Sequence, residues 1–108
     1  MTEMLTEKLD IIINACEEKI GKDIVKIKMD PGLAIADYLV GVTGNTVNQT
    51  RAIADAPEKE CEETSIEIMG KEGYRDGNWI LLDLNDIIVH VFTPAARDYY
   101  DLERLWSF

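Results

Sequence analysis

Apolar positions recur along this chain with two periods, and the changes between them mark the elements. Residues 2–20 carry Leu5, Leu9, Ile12, Ile13, Cys16 and Ile20 at helical spacing. This predicts an amphipathic helix, and Gly21 supplies its stop. From Asp23 to Met29 the period falls to two. Val25, Ile27 and Met29 point one way and Lys26 and Lys28 the other, as in a strand. Asp30-Pro31-Gly32 reads as a turn. Residues 33–37 show no clear period, and Tyr38 to Val42 form a nearly all-apolar run expected of an interior strand.

Gly44-Asn45-Thr46 opens a second helix. Thr46 followed by Gln49 fits a capping box, in which each residue's side chain satisfies a free backbone N–H of the other. Pro57 falls inside this helix at a cost of ~3 kcal/mol, so a kink or a break is expected there. Its acidic continuation, EKECEE, reads as a solvated face. Ser65 to Met69 alternates again, with Ile66 and Ile68 inward. Gly70 to Gly77 reads as a loop. Asn78–Leu82 and Ile87–Phe92 read as a hairpin around Leu84-Asn85, where Asn tolerates the left-handed backbone of a tight turn. Thr93-Pro94 starts a last helix with Ala95, Ala96, Tyr99, Leu102, Leu105 and Trp106 on its apolar side. The order is α-β-β-α-β-β-β-α. It predicts an α/β (α+β) domain over residues 1–108, with one mixed five-stranded sheet and helices packed on it.

Pairing Leu82 with Ile87 sets the hairpin register. Ile80 then faces Val89, Trp79 faces His90 and Leu81 faces Ile88. One face is Ile80, Leu82, Ile87, Val89 and Val91, all aliphatic, and belongs to the core. The other mixes Trp79, Leu81, Asp83, Asp86, Ile88, His90 and Phe92. It is either covered by the last helix or left in part for a partner, for which Trp and Tyr are favoured anchors.

Charge narrows the choice of partner. The net charge of −10 argues against a general nucleic-acid binder and favours a basic protein. Cys16 and Cys61, far apart and in no CxxC spacing, read as free thiols. No apolar run reaches the ~18 residues of a membrane span. The N-terminal MTEMLTEKLD fits neither a signal nor a transit peptide, and a cytoplasmic location is expected.

Catalytic chemistry finds little support. His90 is the single histidine and no Gly-x-Ser-x-Gly elbow accompanies it. Asp83 and Asp86 near it have no diagnostic metal spacing. Thr43-Gly44-Asn45-Thr46, between a strand and a helix, could cradle an anion on backbone N–H groups. The Asp-x-Asp or Asp-x-Glu pair that a nucleotidyltransferase would place on a strand does not follow. A small nucleotide- or phosphate-binding enzyme of nucleotidyltransferase-like fold is therefore the alternative reading.

Residues 73–106, GYRDGNWILLDLNDIIVHVFTPAARDYYDLERLW, resemble the C-terminal half of the ribosomal silencing factors, the Iojap-type proteins. The matching positions are Trp79, Asp83, Asp86, His90, Val91, Phe92, Arg97, Tyr100, Leu102, Glu103, Leu105 and Trp106. Upstream, Asp23–Val25, Ile35–Val40 and Thr43–Asp55 also look like that family. Three positions depart from it. Asn48 stands where Arg is frequent, Asn85 replaces a turn Gly, and Pro57 falls where the family helix continues. The resemblance implies a nucleotidyltransferase-like fold without catalysis, metal or cofactor. It implies binding to the large ribosomal subunit through large-subunit protein fourteen, which blocks joining of the small subunit and represses translation. Glu72, Tyr74, Trp79, Leu81, Asp83, Asp86, His90 and Tyr100 are the residues expected to meet that partner. A free homodimer through the same face is a further expectation.

Overall fold

The expected order of elements is found. A computed structural model describes residues 2–19, 21–28, 36–64 and 66–100. Its elements are α1 (Thr2–Glu18), β1 (Lys22–Lys28), β2 (Tyr38–Thr43), α2 (Val47–Glu63), β3 (Gly70–Glu72), β4 (Trp79–Asp83), β5 (Ile87–Phe92) and α3 (Pro94–Tyr100). One five-stranded sheet runs β1-β2-β5-β4-β3. Only the β2–β5 pairing within it is parallel. The apolar run of β2 is thus explained by an interior strand. The Asp30-Pro31-Gly32 turn, Met29 and the end of the last helix, with Leu102, Leu105 and Trp106, lie outside the described residues.

The core sits between α1, α2 and one face of the sheet. Val40, Val42, Ile80, Leu82, Ile87, Val89 and Val91 of that face are fully buried, together with Ile12 and Cys16 of α1 and Ile53, Ala54 and Cys61 of α2. Burying a large aliphatic side chain contributes roughly 1.5–3 kcal/mol, so this layer supplies most of the driving force. Burial also pushes the Cys16 thiol up to about 12 and raises that of Cys61, which keeps both protonated.

Four expectations need correction. First, the hairpin is shifted by two residues, with Trp79 opposite Phe92, Ile80 opposite Val91, Leu81 opposite His90 and Leu82 opposite Val89. The turn closes later than expected. Leu84 N–H donates to Ile87 O at 2.9 Å, and Asp86 N–H donates to Leu84 O at 3.1 Å across Asn85. Asn85 takes a φ of 77°. This register tucks Leu84 fully into the core, whereas the expected one would leave it in the loop. A shift of two preserves both faces, because side chains alternate with period two.

Second, the strand expected at Ser65–Met69 lies instead at Gly70–Glu72. Ile66 and Ile68 pack against the core from an irregular segment. Ile66 N–H donates to Cys61 O, and the ladder starts only at Met69 N–H, which donates to Asp83 O. The alternation is satisfied by packing rather than by pairing. Third, of the kink or break expected at Pro57, the break does not occur, and α2 runs from Val47 to Glu63 through it. Pro57 is fully buried in one row with Ile53 and Cys61, and packing of that row offsets the lost backbone bond. Fourth, the capping box is displaced by one residue. Gln49 N–H donates to Thr46 Oγ1 at 3.1 Å, but the Gln49 side chain accepts from Asn45 N–H at 2.8 Å.

Candidate functional site on the second sheet face

The register assembles the opposite face of the sheet in rows. Val25, Gly41, His90, Leu81 and Glu72 follow one another across all five strands. Ile27, Leu39, Ile88, Asp83 and Gly70 form the next row, and Thr43, Phe92 and Trp79 a third. Neither α1 nor α2 lies on this side. Past Phe92, Thr93 Oγ1 accepts from Ala96 N–H and caps α3. Arg97 of α3 then reaches back, donating from Nη1 to Thr43 Oγ1. Its guanidinium lies 4.0 Å from where a side chain on Gly41 would begin, so it sits over this face at β2. The same added atom would stand 3.0 Å from Val25 Cγ2. A glycine inside a strand signals such a close approach.

The face therefore divides. Leu39, Ile88, His90 and Phe92 on β2 and β5 are buried, whereas Trp79, Leu81 and Asp83 on β4 are half-buried and Glu72 on β3 is exposed. Glu72, Gly73, Trp79 and Leu81 line a cavity of about 240 Å³. Gly73 takes a φ of 78°, and a β-carbon there would lie 2.0 Å from Trp79 O. Only glycine allows the chain to turn so closely against β4.

Trp79 is tightly oriented. Its Nε1–H donates to His90 Nδ1 at 2.9 Å. Its ring stacks on Phe92 with centroids 5.8 Å apart, and His90 stacks on Phe92 at the same separation. A neutral imidazole that accepts at Nδ1 carries its proton on Nε2. His90 is thus the diagonal neighbour of Trp79 and its hydrogen-bond acceptor, not its directly opposed residue. At 6% exposure it orients the indole more than it meets solvent.

Burial lowers the His90 pKa from 6.5 to about 4. The unfolded chain therefore takes up a proton at higher pH than the folded one. The stability contributed by neutral His90 is present above about pH 6.5 and lost as pH falls towards 4. Proton binding at Nδ1 also removes the acceptor for Trp79. An NMR titration is expected to show the imidazole changing near pH 4, with the hydrogen-bonded indole N–H moving in step. A midpoint near 6.5 would contradict this placement.

Two expected site residues are turned towards the helices. Tyr74 packs against the main core, and its hydroxyl donates to Asp55 of α2 at 3.0 Å, which raises its pKa. Asp86 pairs with Lys8 of α1, whose Nζ also donates to Leu84 O. Tyr100 ends α3, and its side chain lies outside the described residues. The contact made by Arg97 has no signal in the sequence. An arginine following a capped Pro-Ala-Ala start gives no sign that it reaches a strand.

The Gly44–Thr46 loop is occupied by its own neighbours. Gly44 N–H donates to Phe92 O, and Gln49 takes the Asn45 N–H. Among the described residues, no group of three or more His, Cys, Asp or Glu side chains is gathered as metal ligands would be. Among the same residues, no helix is long and apolar enough to cross a membrane. The sheet thus carries α1 and α2 on one face and, on the other, a pre-oriented tryptophan that walls a recess with Leu81, Glu72 and Gly73.

The chain belongs to the RsfS family, "Ribosomal silencing factor during starvation", whose family model matches residues 2–107. A ribosomal silencing factor of Halalkalibacterium halodurans is 40% identical over 101 residues, covering 94% of this chain and 86% of that protein. A crystal structure from Chromobacterium violaceum superposes with a TM-score of 0.90 at 36% identity, covering 94% of this chain and 84% of the other. A more distant mouse protein, "Mitochondrial assembly of ribosomal large subunit protein 1", is 24% identical, covering 92% of this chain and 45% of that one.

Proposed function

We propose that this protein represses translation by binding the large ribosomal subunit, through large-subunit protein fourteen, and standing where the small subunit must join. It acts by occupancy and not by catalysis. The observation that carries this reading is the half-buried Trp79–Leu81–Asp83 edge of the second face with its Glu72-rimmed cavity. A rigid, half-exposed aromatic beside an apolar recess is the usual form of an interface anchor, because it buries much area at little entropic cost. Glu72 at the rim and Asp83 in the next row, on a chain of net charge −10, suit a basic partner and favour fast encounter. His90 fixes the angle of Trp79. Tyr74 and Asp86 serve the surface from behind, by tying the neighbouring loop and turn to α2 and α1.

Co-sedimentation with isolated ribosomal subunits tests the reading. The protein is expected in the large-subunit fraction and not with the small subunit. Sedimentation with neither, or equally with both, would overturn it.

A further inference from the structure

The loop that walls the cavity is held from behind by α2: buried Thr50 meets its end, with Oγ1 donating to Gly77 O, and one helical stripe grips its start. Arg51 donates from Nε to Tyr74 O at 3.0 Å and from Nη2 to Arg75 O, so its fork grips two successive carbonyls. Asn48, one turn earlier, accepts from Arg51 Nη1 at 3.4 Å. One turn later Asp55 accepts from the Tyr74 hydroxyl. Next on this face, Glu58 pairs with Lys71, whose Nζ lies 4.4 Å from the centre of the Tyr74 ring. The loop also closes on itself, with Gly77 N–H donating to Gly73 O at 2.9 Å.

Residues 51, 55 and 58 occupy one helical stripe, as the i, i+4, i+7 spacing requires. The bonds this stripe makes to the loop fall on Lys71–Arg75, the segment that carries Glu72 and Gly73 to the cavity. A planar guanidinium fixes both carbonyls in one geometry, which a lysine ammonium cannot reproduce. A loop ordered before the partner arrives spares the complex that ordering cost.

We infer that Arg51 is a positioning residue for the docking surface, holding the Tyr74–Arg75 backbone so that Glu72 and Gly73 face the cavity in the free protein. This rests on the docking reading above. Nothing in it requires Arg51 to touch the partner. If the binding-competent loop becomes a minority state, apparent affinity falls by the fraction of loops still ordered.

The test compares the whole protein with its Arg51→Ala, Arg51→Lys and Trp79→Ala variants, using hydrogen exchange on the free protein and binding to isolated large subunits. Arg51→Ala is expected to bring amide exchange across residues 73–77 close to the unprotected rate and leave β4 and β5 protected, with affinity falling about tenfold, as an ordered fraction near one tenth requires. Arg51→Lys, which keeps the charge but carries its donors on one nitrogen, is expected to fall between this variant and the wild type in both readouts. It carries the comparison alone if Arg51→Ala does not fold. Faster loop exchange with unchanged affinity overturns the inference, as does unchanged exchange. Trp79→Ala separates the two levels. If it loses binding while the Arg51 variants keep it, only the positioning role fails. If it binds as wild type does, the docking reading fails and the positioning role with it.

Discussion

Trp79→Ala is expected to weaken binding to large ribosomal subunits by at least about 30-fold, the ~2 kcal/mol or more of a central aromatic anchor. The size follows from what the indole does. It forms one wall of the cavity with Leu81, it stacks on Phe92, and its Nε1–H is already committed to His90. The ring is thus held in place before binding, and little rotamer entropy remains to be lost. Trp79→Phe keeps the apolar body but gives up the bond to His90, so an intermediate loss is expected. Folding of both variants is checked by far-UV circular dichroism and a urea midpoint. The helix-side core from Ile80 to Val91 does not depend on the indole, and both variants are expected to stay folded. A folded Trp79→Ala protein with wild-type affinity would remove this face from the account.

The largest stability effect is expected at Gly73. Alanine there must adopt a φ of 78°, and its β-carbon would stand 2.0 Å from Trp79 O and 3.1 Å from Trp79 C. The obstacle is backbone, so no side-chain rotation relieves it. Either the loop or the start of β4 must move. A strained left-handed residue together with a displaced strand end is expected to cost about 3 kcal/mol. Urea unfolding of Gly73→Ala measures this, and a loss below about 0.5 kcal/mol, the size of an ordinary surface substitution, would show that the close approach is not real. The same displacement carries Trp79 with it, so binding is expected to fall along with stability. Val47 Cγ1 lies 2.3 Å from a β-carbon built on Gly77, and that residue's φ is 81°. There the clash is with a side chain of α2, on the far side of the loop from the cavity.

The two faces of the hairpin were legible because alternation survives any even shift of register. Ile80, Leu82, Ile87, Val89 and Val91 fall in the core as their spacing requires. The register itself was not legible, since it depends on whether Leu84 closes the strand pair or joins the loop. That choice is made by burial of Leu84 against helices distant in sequence. Pro57 shows the same limit. Its local penalty is evident in the sequence, and the packed row of Ile53, Pro57 and Cys61 that offsets it is not. The candidate site was partly readable. Trp79, Leu81, Asp83 and His90 share a face by period two alone, and β3 pairing adds Glu72 to their row. Period two put Asp86 on that face as well, but it belongs to the turn, where alternation no longer holds, and Tyr74 in its loop has no period to place it. Their partners, Asp55 and Lys8, lie on helices well before them in the chain.

Subunit joining tests the central claim most directly. Large and small ribosomal subunits are mixed under conditions that favour association, with and without saturating protein, and resolved on a sucrose gradient. The expected result is a loss of joined ribosomes, with the protein on the free large subunits, and no such loss with Trp79→Ala. Full joining at saturating protein, or protein travelling with joined ribosomes, would contradict the account.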